Sequence, residues 1–546
     1  RRGLGAAAGG GAAAAAGAAA PPGGGLSVLH VVVDDLRPEL GCYGAPPERA
    51  RTPNIDALAE RGVSFDRAYC QVPLCGPSRS SLLSGRRPDA SRAWNMVNHF
   101  REDHPGWTSL PGLFKGHGGL ALGVGKIFHP NMPPAQDGAQ SWSDQSLPVD
   151  DPCPGKGFGC HRCPPREGRP DCADTDIGPG PINACWCEVE EGGPVDDSLV
   201  IEEAERLMDV AAQADASRPF YLAVGLHKPH LPFQAGPGDF ARFPPAEETQ
   251  TAAHKTAPRG MPGIAFNTCD SPSPWDPVPD AVAQEARRAY YAAATGLDRH
   301  VGQLIEALEA RGLANRTAVV LHADHGWSLG EHGSWRKMSL FETATRVPLV
   351  VVPPPGWLPR GRAGGRVPEV VELVDVYPTV AALAGLPTPQ GETPLSGKSL
   401  VPELLGRRRG RPEAAALGRV AFSQYMRRPL DPAVPWADNG VVYVDRSEFT
   451  FAGYSARSEG WRYNEWRLWD GVALQADWSP AGLVGRELYD HREEDPRGAD
   501  FYDSTENSNL LGQGAPELDP EERAAAVSLA AALRGQFAPR PSVPVA

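Results

Sequence analysis

The chain has 546 residues with 41% apolar composition, which is enough to bury a large core and favours more than one domain. Its formal net charge of −14 is spread over both halves, which argues against a nucleic-acid partner because phosphate binding depends on clustered basic residues. No apolar run reaches the roughly 20 residues of a membrane-spanning helix, so no membrane span is expected.

The first 25 residues are a low-complexity run of alanine and glycine with too few large apolar side chains to join a core. Two arginines and A-x-A triplets are typical of a signal-peptide remnant, and the same composition also fits a disordered linker. We keep both alternatives and exclude residues 1–25 from the predicted fold.

Short β-branched runs alternate with helical patterns through most of the chain. This is typical of an α/β fold in which helices sandwich a large, mostly parallel sheet. The expected strands are Ser27–Val33, Leu120–Ile127, Phe220–Leu226, Thr317–Asp324 and Val347–Val352. The expected helices are Thr52–Gly62, Asp196–Gln213, Ala281–Ala314 and residues 374–386, the last shortened or kinked near Pro378.

A break rich in Gly, Pro and Arg near residues 406–418 divides the chain into two predicted domains. Residues 26–405 would form the large domain, and residues 415–546 a smaller C-terminal α+β subdomain. Aromatic-rich stretches such as residues 459–471 predict antiparallel strands there, and residues 521–537 predict a closing helix.

Six of the ten cysteines crowd into a Pro/Gly-rich segment that spans residues 153–187. Disulfides are our first interpretation of this insertion, and a zinc site that uses Cys160 and Cys163 is the alternative. Disulfides would imply an oxidising compartment, and the triplet that begins at Asn315 is a glycosylation acceptor compatible with a secreted or lysosome-like location. The six cysteines are Cys153, Cys160, Cys163, Cys172, Cys185 and Cys187.

Acidic residues follow two of the predicted strands. Asp34 and Asp35 follow the first strand, and Asp324 and His325 lie at the end of another. Ligands of open α/β sheets collect at the carboxyl ends of strands, and an oxygen-rich cage of this kind favours Ca²⁺. The alternative is that these side chains belong to solvated turns.

A single cysteine, Cys75, opens the stretch "CGPSRSSLLSG", whose Gly-Pro-Ser start predicts a helix. A helix N-terminus attracts anions through its free N–H groups and its dipole. An unpaired cysteine is more often a small buried residue, but the pattern Cys-x-Pro-x-Arg is far more restrictive than a lone thiol.

These residues resemble the signature of the type I sulfatases of the alkaline phosphatase superfamily. "LCGPSRSSLLSGRRP" resembles the family's modification motif, and "VVVDDLRPELGCYG", "GVGKIFHP", "LAVGLHKPHLPF" and "HADHGWSLGEHGSWRKMSLFE" follow in the family's order. The sequence motifs "LHKPHLPF", "GKIFHP" and "RRPDASR" are most similar to those of the iduronate-2-sulfatase-like group.

The resemblance implies that Cys75 is oxidised to formylglycine by a formylglycine-generating enzyme, and that the hydrated aldehyde attacks the sulfur of a sulfate ester. It implies one Ca²⁺ held by Asp34, Asp35, Asp324, His325 and the modified Cys75. Histidine is an unusual Ca²⁺ ligand, so His325 either contacts the metal weakly or binds sulfate. The implied catalytic residues are Cys75, Arg79, Lys126, His129, His227 and Lys337.

The implied substrate is a sulfated saccharide, most similar to a 2-O-sulfated uronate of a polysaccharide. Substrate contacts are expected from Trp335, Arg336, Tyr454, Arg457 and Arg462, whereas His230, His322 and His332 are expected to be structural or exposed. The thiol-rich insertion departs from the group's pattern and leaves the sugar open. Two rival functions remain: a phosphoesterase or phosphonate hydrolase of the same superfamily, and a non-catalytic glycan-binding protein.

Overall fold

The computed structural model describes residues 25–143, 186–189, 196–267, 273–407, 417–429, 431, 434 and 441–539. The predicted leader up to residue 24, most of the cysteine-rich insertion and the break at residues 408–416 lie outside these ranges. The described residues form one large mixed sheet and one antiparallel sheet, together with two short two-stranded ribbons.

The large sheet has a parallel centre. Its strand order is β6-β2-β7-β5-β1-β4-β3, with β8 paired to β2. The four strands β5, β1, β4 and β3 are parallel, whereas β7 is antiparallel to both β5 and β2. The strands are β1 (Ser27–Val33), β2 (Val63–Tyr69), β3 (Leu120–Gly125), β4 (Phe220–Leu226), β5 (Thr317–Ala323), β6 (Arg346–Val347), β7 (Leu349–Val352) and β8 (Gly365–Glu372).

Helices cover both faces of this sheet, which confirms the predicted α/β sandwich. All seven residues of β1 and of β4 are buried, as expected for parallel strands covered on both sides. The main helices are α1 (Pro53–Arg61), α2 (Cys75–Ser84), α3 (Leu110–Gly116), α4 (Asp196–Gln213), α5 (Asp280–Ala310) and α6 (Val376–Leu383). Single-turn helices are Pro88–Ser91, Phe100–Asp103, Gly138–Ser141, Pro237–Phe240, Glu342–Thr345, Val401–Leu404 and Phe501–Ser504.

Strand β2 was not among the predicted strands because its sequence, VSFDRAY, carries two charged residues. All seven residues are nevertheless buried. Asp66 forms ion pairs with Arg366 and Arg497, and Arg67 donates a hydrogen bond to the carbonyl of Pro368. These partners lie roughly 300 or more residues away in the sequence, so tertiary pairing overrides the local pattern.

The antiparallel sheet is built by the C-terminal part of the chain, as predicted. Strand β11 pairs with β10, β12 and β13, and β10 pairs with β9. The closing helix α7 (Pro520–Phe537) packs on β10 and β11 through Ala525, Leu529 and Leu533, which recur at helical spacing. The strands are β9 (Ala421–Arg427), β10 (Phe451–Arg457), β11 (Trp461–Asp470), β12 (Gln475–Ala476) and β13 (Leu483–Asp490).

A buried carboxylate at Glu331 joins the loop after β1, α5 and the loop after β5. Its Oε1 accepts hydrogen bonds from Arg37 at 3.1 Å and lies 3.3 Å from Nη1 of Arg287. Its Oε2 accepts from the backbone N–H of Leu329 at 2.7 Å. Burial opposes ionisation, but the two guanidinium groups outweigh it and lower the pKa of Glu331 to about 2.

We expect Glu331→Gln to lower the free energy of unfolding at pH 7 by roughly 3 kcal/mol, because a lowered carboxyl pKa is a stabilising contribution. This contribution is present above pH 4.5 and is lost as the pH falls towards 2. The difference between parent and variant should therefore shrink in urea titrations between pH 5 and pH 3. Glu309→Gln is the control, since Glu309 pairs with Arg61 at the surface and should cost at most about 1 kcal/mol at any pH. A constant difference for Glu331→Gln across this range would contradict the expectation.

Candidate active site

The ends of four parallel strands bring polar residues to one edge of the large sheet. Val33, the last residue of β1, pairs with Leu226 of β4 and Ala323 of β5, so Asp34, His227 and Asp324 follow at the same level. The N–H of Asp34 donates to Leu226, and the N–H of Asp324 donates to Val33. Lys126 follows β3 in the same way, with its N–H bonded to Gly225. The strand register therefore assembles side chains that are far apart in the sequence.

Cys75 is the first residue of α2, as predicted, and is fully buried beside these strand ends. Its Sγ lies 3.0 Å from Nζ of Lys337, 3.3 Å from Nε2 of His325 and 3.5 Å from Oδ1 of Asp34. Burial and the charge of Asp34 raise the pKa of the thiol well above its usual value. A thiol with a raised pKa is a poor nucleophile, so an unmodified Cys75 is not poised for attack.

Arg79 lies one turn along α2 and is also fully buried. Its Nε donates to Asp324 at 2.9 Å and its Nη2 to Asp34 at 3.0 Å. Its Nη1 donates to the backbone carbonyls of Lys126 and Ile127. One planar guanidinium thus fixes two carboxylates and the loop after β3, which a lysine could not do.

Two lysines that are far apart in the sequence contact the carboxylates of Asp34 and Asp35. Nζ of Lys126 lies 2.5 Å from Oδ2 of Asp34, and Nζ of Lys337 lies 2.9 Å from Oδ1 of Asp35. Burial opposes the charge of Asp34, but Lys126, His230 and Arg79 together hold the pKa of Asp34 well below its usual value. The pocket can therefore keep a carboxylate ionised and still offer positive charge to an anion.

Asp35 carries the clearest indication of a cation. It has a left-handed backbone (φ 58°), a conformation in which aspartate is tolerated better than most residues. Burial raises the pKa of Asp35, and Lys337 only partly offsets this effect. Its buried Oδ2 accepts no hydrogen bond from the described residues, and an unsatisfied buried carboxylate oxygen is compatible with a bound cation.

His325, the last of the predicted metal ligands, lies beside two of the carboxylates. Its Nε2 lies 3.4 Å from Oδ1 of Asp35 and 3.5 Å from Oδ2 of Asp324. The side chains of Asp34, Cys75, Asp324 and His325 offer ligand atoms within 4.8 Å of one another. The carboxylate oxygens suit a hard divalent cation, and the nitrogen is the weaker member of the set for such an ion.

His230 was missed as a site residue. It is 1% exposed, and its Nε2 lies 3.7 Å from Oδ2 of Asp35 and 4.0 Å from Oδ2 of Asp34. Its ring packs 4.8 Å from the ring of His227. His230 lies three residues after His227 on the loop that follows β4, and only the packing of this loop places it beside Asp35.

His129 and His227 lie on the loops that follow β3 and β4. His129 is half-buried, and its carbonyl accepts the N–H of Met132. His227 is held through its backbone, since the buried carboxylate of Asp197 accepts the N–H groups of His227 and Lys228 at 2.7 and 2.9 Å. Sequence analysis did not single out Asp197, which lies in the first turn of α4 some 30 residues earlier.

His322 and His332 are structural, as expected. Nε2 of His322 bonds to Nε2 of His30 at 2.7 Å inside the sheet, and burial lowers the pKa of His322 to about 4. Nε2 of His332 bonds to the carbonyl of Thr505 at 2.9 Å. Both side chains therefore satisfy the polar interior and do not join the site.

The expected substrate contacts in the antiparallel sheet need correction. Arg457 and Arg462 are buried and share the carboxylate of Glu342, and Arg462 also pairs with Glu506. Tyr454 is 1% exposed and packs against Trp478 and Phe537, on the side of α7. Arg457 and Arg462 therefore bind carboxylates of the protein itself, and Tyr454 packs in its interior.

Cys187 is the one member of the cysteine-rich set within the described residues, and it is buried. The disulfide and zinc alternatives therefore stay predictions. Among the described residues, Cys42, Cys70 and Cys75 form no disulfide.

Comparison with known proteins gives the family of this chain. The family model "Sulfatase" matches residues 27–386. Iduronate 2-sulfatase of Mus musculus is 32% identical over 89% of this chain and 92% of its own length, and the Homo sapiens protein is 32% identical with the same coverage. The chain belongs to the sulfatase family. Because this family hydrolyses sulfate esters, the protein is a sulfuric ester hydrolase of the iduronate-2-sulfatase-like group.

Solved structures share the fold of this sulfatase. A phosphonate monoester hydrolase from Silicibacter pomeroyi superposes with a TM-score of 0.63 at 21% identity, over 94% of this chain and 96% of that one. A 2-O GAG sulfatase superposes with a TM-score of 0.61 at 18% identity, over 94% and 92%. Among the described helices of this sulfatase, none is both long and apolar enough to cross a membrane.

Proposed function

We propose that this sulfatase hydrolyses a sulfate monoester on a carbohydrate, with a 2-O-sulfated uronate of a polysaccharide or oligosaccharide as its substrate. The observation that carries the proposal is the position of Lys337, whose ammonium contacts both Asp35 and the side chain of Cys75. A cation at this place can hold an anionic group directly over position 75. The similarity to iduronate 2-sulfatases over 89% of the chain supports a 2-O-sulfated uronate.

Cys75 is, in this proposal, the precursor of formylglycine, made by a formylglycine-generating enzyme. Its Sγ stands where an oxygen of the hydrated aldehyde would lie, next to Lys337 and His325. Formylglycine supplies a nucleophilic oxygen that the buried thiol lacks. A secreted or lysosome-like location, with disulfides in the insertion, is the setting that we propose.

A single Ca²⁺ is proposed for the group formed by Asp34, Asp35, Asp324 and His325. The unsatisfied Oδ2 of Asp35 and the surplus of carboxylate oxygen fit a hard cation. When bound, such an ion would offset negative charge on the transferring group. Arg79 fixes the two carboxylates of Asp34 and Asp324 that would hold it.

The roles that we propose for the remaining residues follow from the resemblance to the family. Lys126 and Lys337 would bind sulfate oxygens as point charges. His129 would take a proton from the hydroxyl at position 75, and His227 would protonate the departing sugar oxygen. Trp335 and Arg336, which precede Lys337, stay our proposed contacts for the sugar.

The test is sulfate release from a panel of sulfated disaccharides. We expect kcat/KM for a 2-O-sulfated uronate to exceed the values for 6-O- and N-sulfated glucosamine by at least about 100-fold, because a polar pocket rejects misplaced groups strongly. Matched phosphate and phosphonate esters are measured alongside. Faster turnover of those esters would favour the rival hydrolase, and glycan binding without turnover would favour the non-catalytic rival.

A further inference from the structure

Lys337 lies between two residues with strained backbones. Arg336 and Met338 have φ values of 64° and 71°, in the left-handed region that non-glycine residues rarely adopt. Non-glycine residues keep such a backbone only where the surrounding structure holds them, so this segment depends on its contacts. The position of the Lys337 ammonium therefore depends on what holds its two neighbours.

Met338 is held at both of its backbone polar groups. Its N–H donates to the carbonyl of Pro73 at 3.1 Å, two residues before Cys75. Its carbonyl accepts from Nη1 of Arg427 at 3.1 Å and from Nδ2 of Asn267 at 3.3 Å. One bond thus ties the segment to the loop before position 75, and the other two tie it to residues outside the catalytic set.

Arg427 ends strand β9 of the antiparallel sheet and has no exposed surface. Its Nε and Nη2 donate to the carbonyls of Ile264 and Ala265 at 3.2 and 3.3 Å. Its guanidinium lies over the rings of Tyr425 and Trp466, at 4.6 and 5.1 Å from their centroids. Only a planar group with several donors can reach three carbonyls while it is packed between two rings.

We propose that Arg427 is a positioning residue for catalysis, which holds the carbonyl of Met338 and thereby aims the ammonium of Lys337 at position 75. This inference rests on the proposed function, because it takes Lys337 to bind the sulfate group. It also makes the antiparallel sheet part of the catalytic unit, since β9 supplies the residue that sets the geometry.

A double-mutant cycle tests this role. Arg427→Lys keeps the charge but cannot donate to three carbonyls at once. We expect kcat/KM on the sulfated disaccharide to fall about 10- to 100-fold, because a small misplacement of a binding group is costly. In a Lys337→Ala background the same substitution should cost at most about threefold, since residues that act as a unit are not additive. An equal loss in both backgrounds would show that Arg427 does not act through Lys337.

Arg446→Lys is the matched control. Arg446 also links the C-terminal part to the large domain, with its Nη1 2.6 Å from Asp103, but it makes no contact with residues 336–338. Its substitution should change kcat by less than about threefold in either background. If Arg427→Lys fails to fold, Arg427→Gln, which keeps one amide donor, takes its place in the cycle.

Calorimetric binding of inorganic sulfate gives a second readout that needs no turnover. We expect the dissociation constant for sulfate to rise about tenfold in Arg427→Lys, and to stay unchanged in Arg446→Lys, because the ammonium of Lys337 moves only in the first. Unchanged sulfate binding in Arg427→Lys would overturn the inference. Absence of turnover in the parent would instead contradict the proposed function, while the sulfate measurement would still decide the role of Arg427.

Discussion

Replacing Cys75 with alanine is expected to abolish sulfate release, with a loss in kcat/KM of roughly 10⁵-fold or more, because the covalent nucleophile is removed. The cavity left by one sulfur atom beside Lys337 and His325 is small, so the variant should still fold and should still bind the sulfated saccharide. Turnover is measured as free sulfate, and binding is measured by calorimetry with the same disaccharide.

Cys70→Ala is the matched control for this substitution. Cys70 is equally buried and forms no disulfide, but its Sγ faces the carbonyl of Ala344. Its loss should leave kcat/KM within a few-fold of the parent. Mass spectrometry of the peptide with residue 75 should find an aldehyde in the active parent, and an active parent with only thiol there would contradict the proposed nucleophile.

Asp35→Asn is expected to weaken Ca²⁺ binding at least about 100-fold and to lower kcat/KM about 10³-fold, because ligand charge sets calcium affinity and a catalytic cation supplies several kcal/mol. Asparagine has the same shape as aspartate and also tolerates the left-handed backbone at this position. The substitution therefore removes the negative charge without adding strain at the left-handed backbone of residue 35. Calcium affinity is measured by calorimetry after treatment with a chelator.

Asp298→Asn serves as the control for loss of a buried carboxylate. Asp298 accepts the N–H groups of Asn54 and Ile55 at the start of α1, and it makes no contact with the candidate metal group. Its substitution should lower the unfolding midpoint and leave calcium affinity unchanged. Equal calcium affinity in the parent and in Asp35→Asn would remove Asp35 from the site.

The sequence was sufficient for much of the fold and for several of the residues that meet at the candidate site. Apolar runs such as Ser27–Val33 and Phe220–Leu226 are strands with the expected bounds. An uninterrupted apolar sequence is typical of a parallel strand that is buried on both faces. Asp34 and Asp324 directly follow such strands, so their meeting at one sheet edge follows from the parallel order. Cys75 opens a helix because Pro77 suits its first turn.

What the sequence could not supply are contacts that depend on distant partners. Arginine is a residue type that often contacts sugar carboxylates, which is why Arg457 and Arg462 were predicted to do so. Only the fold shows that both guanidinium groups form ion pairs with Glu342. His230 has no distinguishing neighbour in the sequence, and only the packing of its loop places it beside Asp35. Local composition specifies which residues are buried, whereas the choice of partner among buried charges is a tertiary property.

The complete enclosure of Cys75 has a consequence for how active protein is made. An enzyme that oxidises the side chain of Cys75 has to bind several residues around it. In the folded chain, however, α2 is buried along its whole length. If Cys75 is converted to formylglycine as we propose, the conversion would therefore precede the completion of folding. We expect that chain expressed without the maturing enzyme, once folded, stays inactive even when that enzyme is added afterwards.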